Sequence, residues 1–379
     1  GISTNYSKEE LIDNGAHIII DNYLNIRLID LLAYNKIHNM EQIKLYIKQS
    51  LNVNIKNIII DDIKLKGGYI SDVISLQIVK NDDSILNCVL KLENNTETNL
   101  SLMAKKLNLY ERENYFYDTI SKYVNINIPH FFGLIKDNDF NTIGILMENL
   151  NTSGNYTLNL NLNKSNINIS LKLVEELSKL HIKFWNKNIK NLFPELKKHN
   201  DKLFNPTWKQ FIEERIILFK STWKNILKKK DIDLIDDITK NFDIIQERLS
   251  NNNLTLIHGD VKSPNIFYNN NNFEPVFLDW QYVAIGKGVQ DLIFFIIESY
   301  DLEYIKIIFP ILKNYYYIKI IENNINYSHL DYENDIKDSV SYFPFFVAIW
   351  FGTTPQDELI DKNFPFFFIQ KLFYFLNYI

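Results

Sequence analysis

The chain of 379 residues is short of several residue types, and each shortage excludes something. A single cysteine, Cys88, rules out an intramolecular disulfide and suits a reducing compartment. Arginine occurs only at Arg27, Arg112, Arg215 and Arg248, and 41 basic residues face 46 acidic ones for a net charge of -5. That balance argues against a protein that neutralises a nucleic-acid backbone. No apolar run reaches about 18 residues, so no membrane-spanning helix is expected. Residues Gly1 to Ser7 lack the basic and apolar parts of a signal peptide. The expectation is a soluble cytoplasmic protein with no nucleic-acid or membrane partner; its oligomeric state is not legible.

Hydrophobic residues at 46% and charged residues at 23% belong to a globular chain. About 50 asparagines stand against 5 alanines, beside abundant Ile, Lys, Tyr and Phe. These abundant residues have AT-rich codons, so genome composition accounts for the bias. The tracts Asn251–Asn253 and Asn269–Asn272 therefore read as surface loops.

Ser7 and Glu10 stand at capping-box spacing for a short first helix. A second helix follows Asn39, with Ile43, Tyr46 and Ile47 on one side. Three strands are expected over Ile58–Leu65, Val73–Val79 and Leu86–Leu92, then a helix over Lys105–Tyr117 and a strand over Thr142–Met147. Residues 149–170 turn to Asn, Ser and Thr with little periodicity and read as a linker. Beyond it, Leu173, Val174, Leu177, Leu180, His181, Phe184 and Trp185 recur at helical spacing. Helices are expected over Lys209–Lys229 and Asp233–Leu249, with Lys228–Lys230 as a solvated helix end favoured by a C-terminal dipole. Short strands flank the next segment, and everything after Gln290 reads helical. This is an α+β architecture: a strand-rich lobe over 1–148 with leading helices in 1–52, a linker over 149–170, and a helical lobe over 171–379.

The most informative segment is His258-Gly259-Asp260-Val261-Lys262-Ser263-Pro264-Asn265, followed by Asp279 at the end of an apolar strand. Phosphoryl transfer from a nucleotide needs one carboxylate to accept a hydroxyl proton, and an amide oxygen with a second carboxylate to hold Mg²⁺. Asp260 is the candidate base, and Asn265 and Asp279 are the candidate metal ligands. Hard oxygen donors without a Cys/His cluster favour Mg²⁺ over zinc. Lys262 either touches the transferring phosphate or faces solvent.

The matching parts stand upstream. Lys91 interrupts the apolar strand Cys88–Leu92, where a charge needs a partner. Glu113 on the next helix supplies one, with Glu111 as the alternative, and the pair would hold the ammonium against the α/β-phosphates. Gly67-Gly68, with Ser71 just after, either brings backbone amides up to phosphates or makes a plain hairpin turn. Met147, Glu148 and Leu150 stand at the interlobe crossing, where backbone groups would read an adenine edge.

On these residues the chain resembles the aminoglycoside phosphotransferase and choline kinase-like superfamily, a branch of the protein kinase-like fold, and within it the ecdysteroid-kinase-like group. The resemblance spans roughly Ile58 to Tyr300. It rests on Gly68–Ser71, Lys91, Glu113–Tyr117, Met147–Leu150, Leu180–Trp185, His258–Asn265, Leu278–Gln281 and Asp291-Leu292. It implies an ATP-dependent phosphotransferase with Mg²⁺, in which Asp260 is catalytic, Asn265 and Asp279 bind metal, and Lys91 binds phosphate. Asp291, His258 and His181 would be structural.

Departures from a protein kinase choose the branch. Gly259 stands where those enzymes place Arg, Trp280-Gln281 replaces Phe-Gly, and Asp291 follows Asp279 too soon for a peptide-docking activation loop. A small-molecule hydroxyl is the expected acceptor; a nucleotide-binding scaffold without turnover and a protein kinase are the alternatives. Tyr342–Phe351 reads as core, part of which would line a pocket for an apolar alcohol, with Pro344 interrupting it. Glu298, Asp301, Asp335 and Asp357 would offer an amine its counter-charge.

Overall fold

The computed structural model describes residues 40–51, 53–65, 71–93 and 99–378. The Ser7 helix and the Gly67-Gly68 turn lie outside these residues. Helix α1 (Met40–Ser50) buries Ile43, Tyr46 and Ile47, the stripe its periodicity marks. Strands β1 (Ile55–Leu65), β2 (Ser71–Lys80) and β3 (Ile85–Glu93) follow. The expected single helix over 105–117 is two, α2 (Asn99–Lys106) and α3 (Leu109–Tyr115), broken where Asn108 takes a left-handed conformation at φ 51. Helix α3 runs on as a π-helical turn, Phe116–Ile120. Strands β4 (Phe131–Lys136) and β5 (Thr142–Glu148) complete a five-stranded antiparallel sheet of order β1-β2-β3-β5-β4.

Side chains alternate across this sheet, which decides where Lys91 points. Cys88 and Leu90 of β3, with Leu146 of β5, join α1 in one apolar cluster. Ile145 and Met147 point the other way, into the large core shared with the helical lobe. In the register of the β3–β5 pair, Lys91 stands opposite Ile145 and thus on the lobe-facing side.

The stretch expected as a linker has more order than its composition suggests. It contains strand β6 (Tyr156–Leu158), and helix α4 (Ile167–Phe184) begins inside it, with the Asn166 side chain accepting from the Asn168 amide. Short helix α5 (Ile189–Leu192) and helix α6 (Thr207–Thr222) follow. The expected helix over 233–249 is likewise two, α7 (Lys229–Lys240) and α8 (Phe242–Leu249). Lys228–Lys230 therefore opens a helix where it was expected to close one. The dipole there disfavours cations, and Asp231 compensates by accepting the Lys228 amide at 2.8 Å.

Strand β7 (Leu254–Ile257) leads into the His258 segment, and β8 (Ile266–Asn269) and β9 (Pro275–Phe277) lead from it towards Asp279. Strand β10 (Ala284–Lys287) pairs with β7, while β6, β8 and β9 form a second small sheet. Helices α9 (Val289–Ser299), α10 (Leu302–Ile321), α11 (His329–Ser341), α12 (Phe343–Gly352) and α13 (Phe364–Tyr378) close the lobe. Pro344 starts α12 instead of interrupting it, at a position whose amide needs no intrahelical partner. Among the described residues, no helix is long and apolar enough to cross a membrane.

Candidate active site

The loop between β7 and β8 is held by one buried carboxylate. Asp291, in the first turn of α9, accepts the His258 amide at 2.8 Å and the Gly259 amide at 2.8 Å. His181 of α4 lies 3.1 Å from the same carboxylate, and its other ring nitrogen meets the Tyr316 hydroxyl at 2.8 Å. Gly259 adopts φ 86, and a Cβ there would overlap the carbonyl of Tyr282. That overlap explains glycine at a position where the protein kinases carry arginine.

His258 ties the loop to the strand that delivers Asp279. Its Nε2 lies 2.8 Å from the Leu278 carbonyl, and its Nδ1 accepts the Asp260 amide at 3.2 Å. This pattern puts the ring proton on Nε2. Burial holds the imidazole below its ordinary range, so it stays neutral and structural.

Asp260 is buried, and three contacts orient it. Asn265 donates from Nδ2 to the Asp260 carbonyl at 3.0 Å and to Oδ2 at 3.1 Å; Lys262 Nζ lies 2.9 Å from Oδ2. Burial pushes the Asp260 carboxyl above its ordinary range, against the pull of Lys262. Lys262 is therefore not a solvent-facing loop lysine: its side chain is 28% exposed and engaged with Asp260.

Across the cleft, Lys91 Nζ lies 2.7 Å from Glu113 and 2.8 Å from Asp279 Oδ1. Glu113, not Glu111, is thus the helix partner. Burial disfavours the Lys91 charge, but Asp279 and Glu113 outweigh it and hold the ammonium above its usual range. Burial also opposes the charge on Asp279, yet Lys91 and Lys262 keep that carboxyl below its ordinary range. Asp279 adopts a left-handed backbone, φ 62, that turns β9 into the following 3-10 turn. Trp280 then stacks on Phe116 at 3.8 Å, and Gln281 donates to the Ser71 hydroxyl at 3.0 Å.

Ser71, Lys91, Asp260, Lys262, Asn265 and Asp279 line one cavity of about 440 Å³ between the lobes. Its opposite wall is apolar and includes Phe294, Phe343, Val347, Trp350, Phe351 and Phe364. Of the four acids expected to meet an amine, only Glu298 lines it. Asp335 is instead paired with Lys287 at 3.2 Å and with the Tyr327 hydroxyl at 2.7 Å. Met147, Glu148 and Leu150 lie outside this cavity. Met147 is buried under the sheet, Glu148 accepts the His130 amide at 3.3 Å, and Leu150 packs with Phe267 and Val276.

Glu298 and Asp361 are the polar members of the apolar half. Glu298 follows Asp291 by seven positions, two helical turns, so a helical reading of α9 puts it on the same face as the loop-bracing carboxylate. Asp361 precedes α13 and carries no comparable signal.

No curated protein matches the chain in sequence. Solved structures of the same fold include the ethanolamine kinase of Plasmodium vivax, 15% identical over 99% of this chain and 94% of that one, with a TM-score of 0.52. A variant of aminoglycoside 2'-phosphotransferase IIIa in complex with GDP is 12% identical, covering 92% and 97%, with a TM-score of 0.52. An amicoumacin kinase in complex with AMP-PNP and Ca²⁺ is 8% identical, covering 90% and 94%, with a TM-score of 0.51. The protein kinase-like fold, with its antiparallel upper sheet and helical lower lobe, is thereby established. Residues 66–328 match the model of one family, well over half of the sequence, and the chain belongs to that family, the ecdysteroid kinase-like proteins.

Proposed function

We propose that the chain is a small-molecule kinase that moves the γ-phosphate of ATP to a hydroxyl of a largely apolar acceptor. The observation that carries this reading is the shared cavity, in which Lys91, Asp260, Asn265 and Asp279 face a wall of aromatic side chains. Asp260 accepts the hydroxyl proton as the new O–P bond forms and the β,γ-bridging bond breaks to release ADP. A carboxyl raised by burial is a better base than an ordinary one, and Asn265 holds it in line. Lys91 meets the nucleotide's phosphates, with Glu113 fixing its ammonium.

The donor set fits Mg²⁺. Asn265 commits its amide nitrogen to Asp260 and keeps Oδ1 for a cation, and Asp279 meets Lys91 through Oδ1 with Oδ2 remaining. Bound by these two residues, the ion supplies charge neutralisation on the phosphates. The family membership and the nucleotide complexes of similar structures support nucleotide use.

On the acceptor side, the apolar wall excludes water from the transfer and favours a hydrocarbon-rich alcohol over a sugar. Glu298 forms no side-chain hydrogen bond among the described residues, and burial raises its carboxyl above the ordinary range. It is placed to take a donor group, a second hydroxyl or an amine, at the far end of such an acceptor.

The test is ADP release from Mg-ATP in the presence of a panel of apolar alcohols and of native extract, with Asp260→Asn as control. Acceptor-dependent ADP release, lost in the variant, supports the reading. Tight Mg-ATP binding with no ADP release for any acceptor would return the scaffold alternative. Labelled phosphate found only on protein would return the protein kinase.

A further inference from the structure

A second, much smaller cavity, about 20 Å³, borders the catalytic loop at Gly259. That is room for one water-sized or halide-sized occupant. Arg112, Phe204, Trp208, Tyr282 and Tyr342 complete the part of its lining that matters here.

Arg112 is the one cation in this wall. Its guanidinium lies 4.8 Å from the Phe204 ring centre and 5.9 Å from that of Tyr282, and one nitrogen donates to the Val283 carbonyl at 2.7 Å. The other terminal nitrogen, Nη1, is buried and meets no acceptor. No carboxylate forms an ion pair with Arg112 among the described residues. Burial draws Arg112 down to about 10, which still leaves it charged near neutral pH.

A second donor shares the predicament: Trp208 Nε1 is buried without a hydrogen-bond partner. The Tyr342 hydroxyl, by contrast, has the Gln246 side chain beside it: the amide nitrogen is committed to the carbonyls of His199 and Phe204 at 3.0 and 3.4 Å, which leaves Oε1 to take the phenol proton. His199 brings no second positive charge, because burial pushes its imidazole down to about 4. Asp291, the carboxylate that acts on His199, is already engaged by the two loop amides and His181.

The wall therefore combines one uncompensated positive charge with two unpaired donors, Arg112 Nη1 and Trp208 Nε1. A water molecule would satisfy hydrogen bonds and leave the charge unmatched. A small anion answers both needs, and burial of an unpaired charge is what folds avoid most strongly. The small volume favours a monatomic anion over phosphate or a carboxylic acid.

We propose that this cavity binds a single halide-sized monovalent anion, chloride under cellular conditions, as the counter-ion of Arg112. Arg112 immediately precedes Glu113, the partner of Lys91, and Gly259 immediately precedes Asp260. The anion thus sits where α3 and the catalytic loop meet, and its occupancy stabilises their mutual placement. The proposal is independent of which acceptor the cleft takes.

The experiment is thermal unfolding of the full chain in potassium chloride or bromide against potassium gluconate at equal ionic strength. Gluconate is too large for the cavity. At about ten times the dissociation constant, a halide should raise Tm by about 2 °C by mass action. Arg112→Met should remove that halide-dependent increment. Trp208→Phe, a milder change that removes the other unpaired donor, should weaken the halide response several-fold while still folding, so the proposal stays testable if the arginine variant does not fold. Crystals soaked in bromide should show an anomalous peak beside Arg112. Equal Tm in halide and gluconate, a full halide response in both variants, or a peakless cavity holding only water would each overturn it.

Discussion

The two halves of the interlobe cleft are built on different principles. The half proposed to hold the nucleotide is a closed electrostatic circuit, in which Lys91 is shared by Glu113 and Asp279 within 2.8 Å. The half proposed for the acceptor is a sheath of aromatic rings broken by Glu298 and Asp361. Charges that meet the same polyphosphate in every turnover can be matched in advance, which minimises reorganisation. A surface that must take up an apolar body gains from burial area instead.

The comparison can be broken first at Asp260, the residue where the two halves touch. Asp260→Asn should lower kcat by about 10²–10⁴-fold, while nucleotide affinity measured by calorimetry stays near that of the wild type. Lys91→Ala opens the circuit on the phosphate side and should lower kcat/KM by about 10²-fold, read in steady-state assays. Asp279→Ala should remove the dependence of nucleotide affinity on Mg²⁺, measured by titration with and without the metal. Equal affinity in both conditions for the wild type would contradict the role given to Asp279.

Lys262→Met sharpens the comparison through pH. In the proposed mechanism the base form of Asp260 is the active one; burial raises its pKa, and Lys262 opposes that rise. Activity is then lost as pH falls through the raised value. Removing the lysine should move the acidic limb of kcat/KM to higher pH, and an unmoved limb would dissociate the pair. The smallest effect is expected at the sheath. Trp350→Ala should raise KM for apolar alcohols more than for short polar ones, with nucleotide KM unchanged.

Much of the site was legible because its chemistry is contiguous in sequence. His258 to Asn265 is one loop between two short strands, and Asp279 closes the next. Lys91 and Glu113 could be paired because an ammonium in an apolar strand requires a carboxylate on the element packed against it. What escaped was order created by distant partners. Strand β6 forms because Thr157 and Leu158 pair with Tyr268 and Phe267, more than a hundred residues away, so an Asn-rich stretch read as linker is partly sheet. The break at Asn108 rests on a single left-handed residue inside an otherwise helical pattern. Lys228–Lys230 misled because its dipole cost is offset by Asp231, whose second oxygen is held by Asn377 at the far end of the chain. Arg112 carried no local signal at all, since its surroundings come from the loop before α6, the turn before β10 and the junction of α11 and α12.

The attachment of α3 to the lower lobe has a mechanical consequence. Arg112 grips the Val283 carbonyl while Phe116 stacks flat on Trp280, so the helix is riveted to the half of the molecule beneath it. Any opening of the cleft would then have to hinge above α3, loading the ion pair between Lys91 and Glu113.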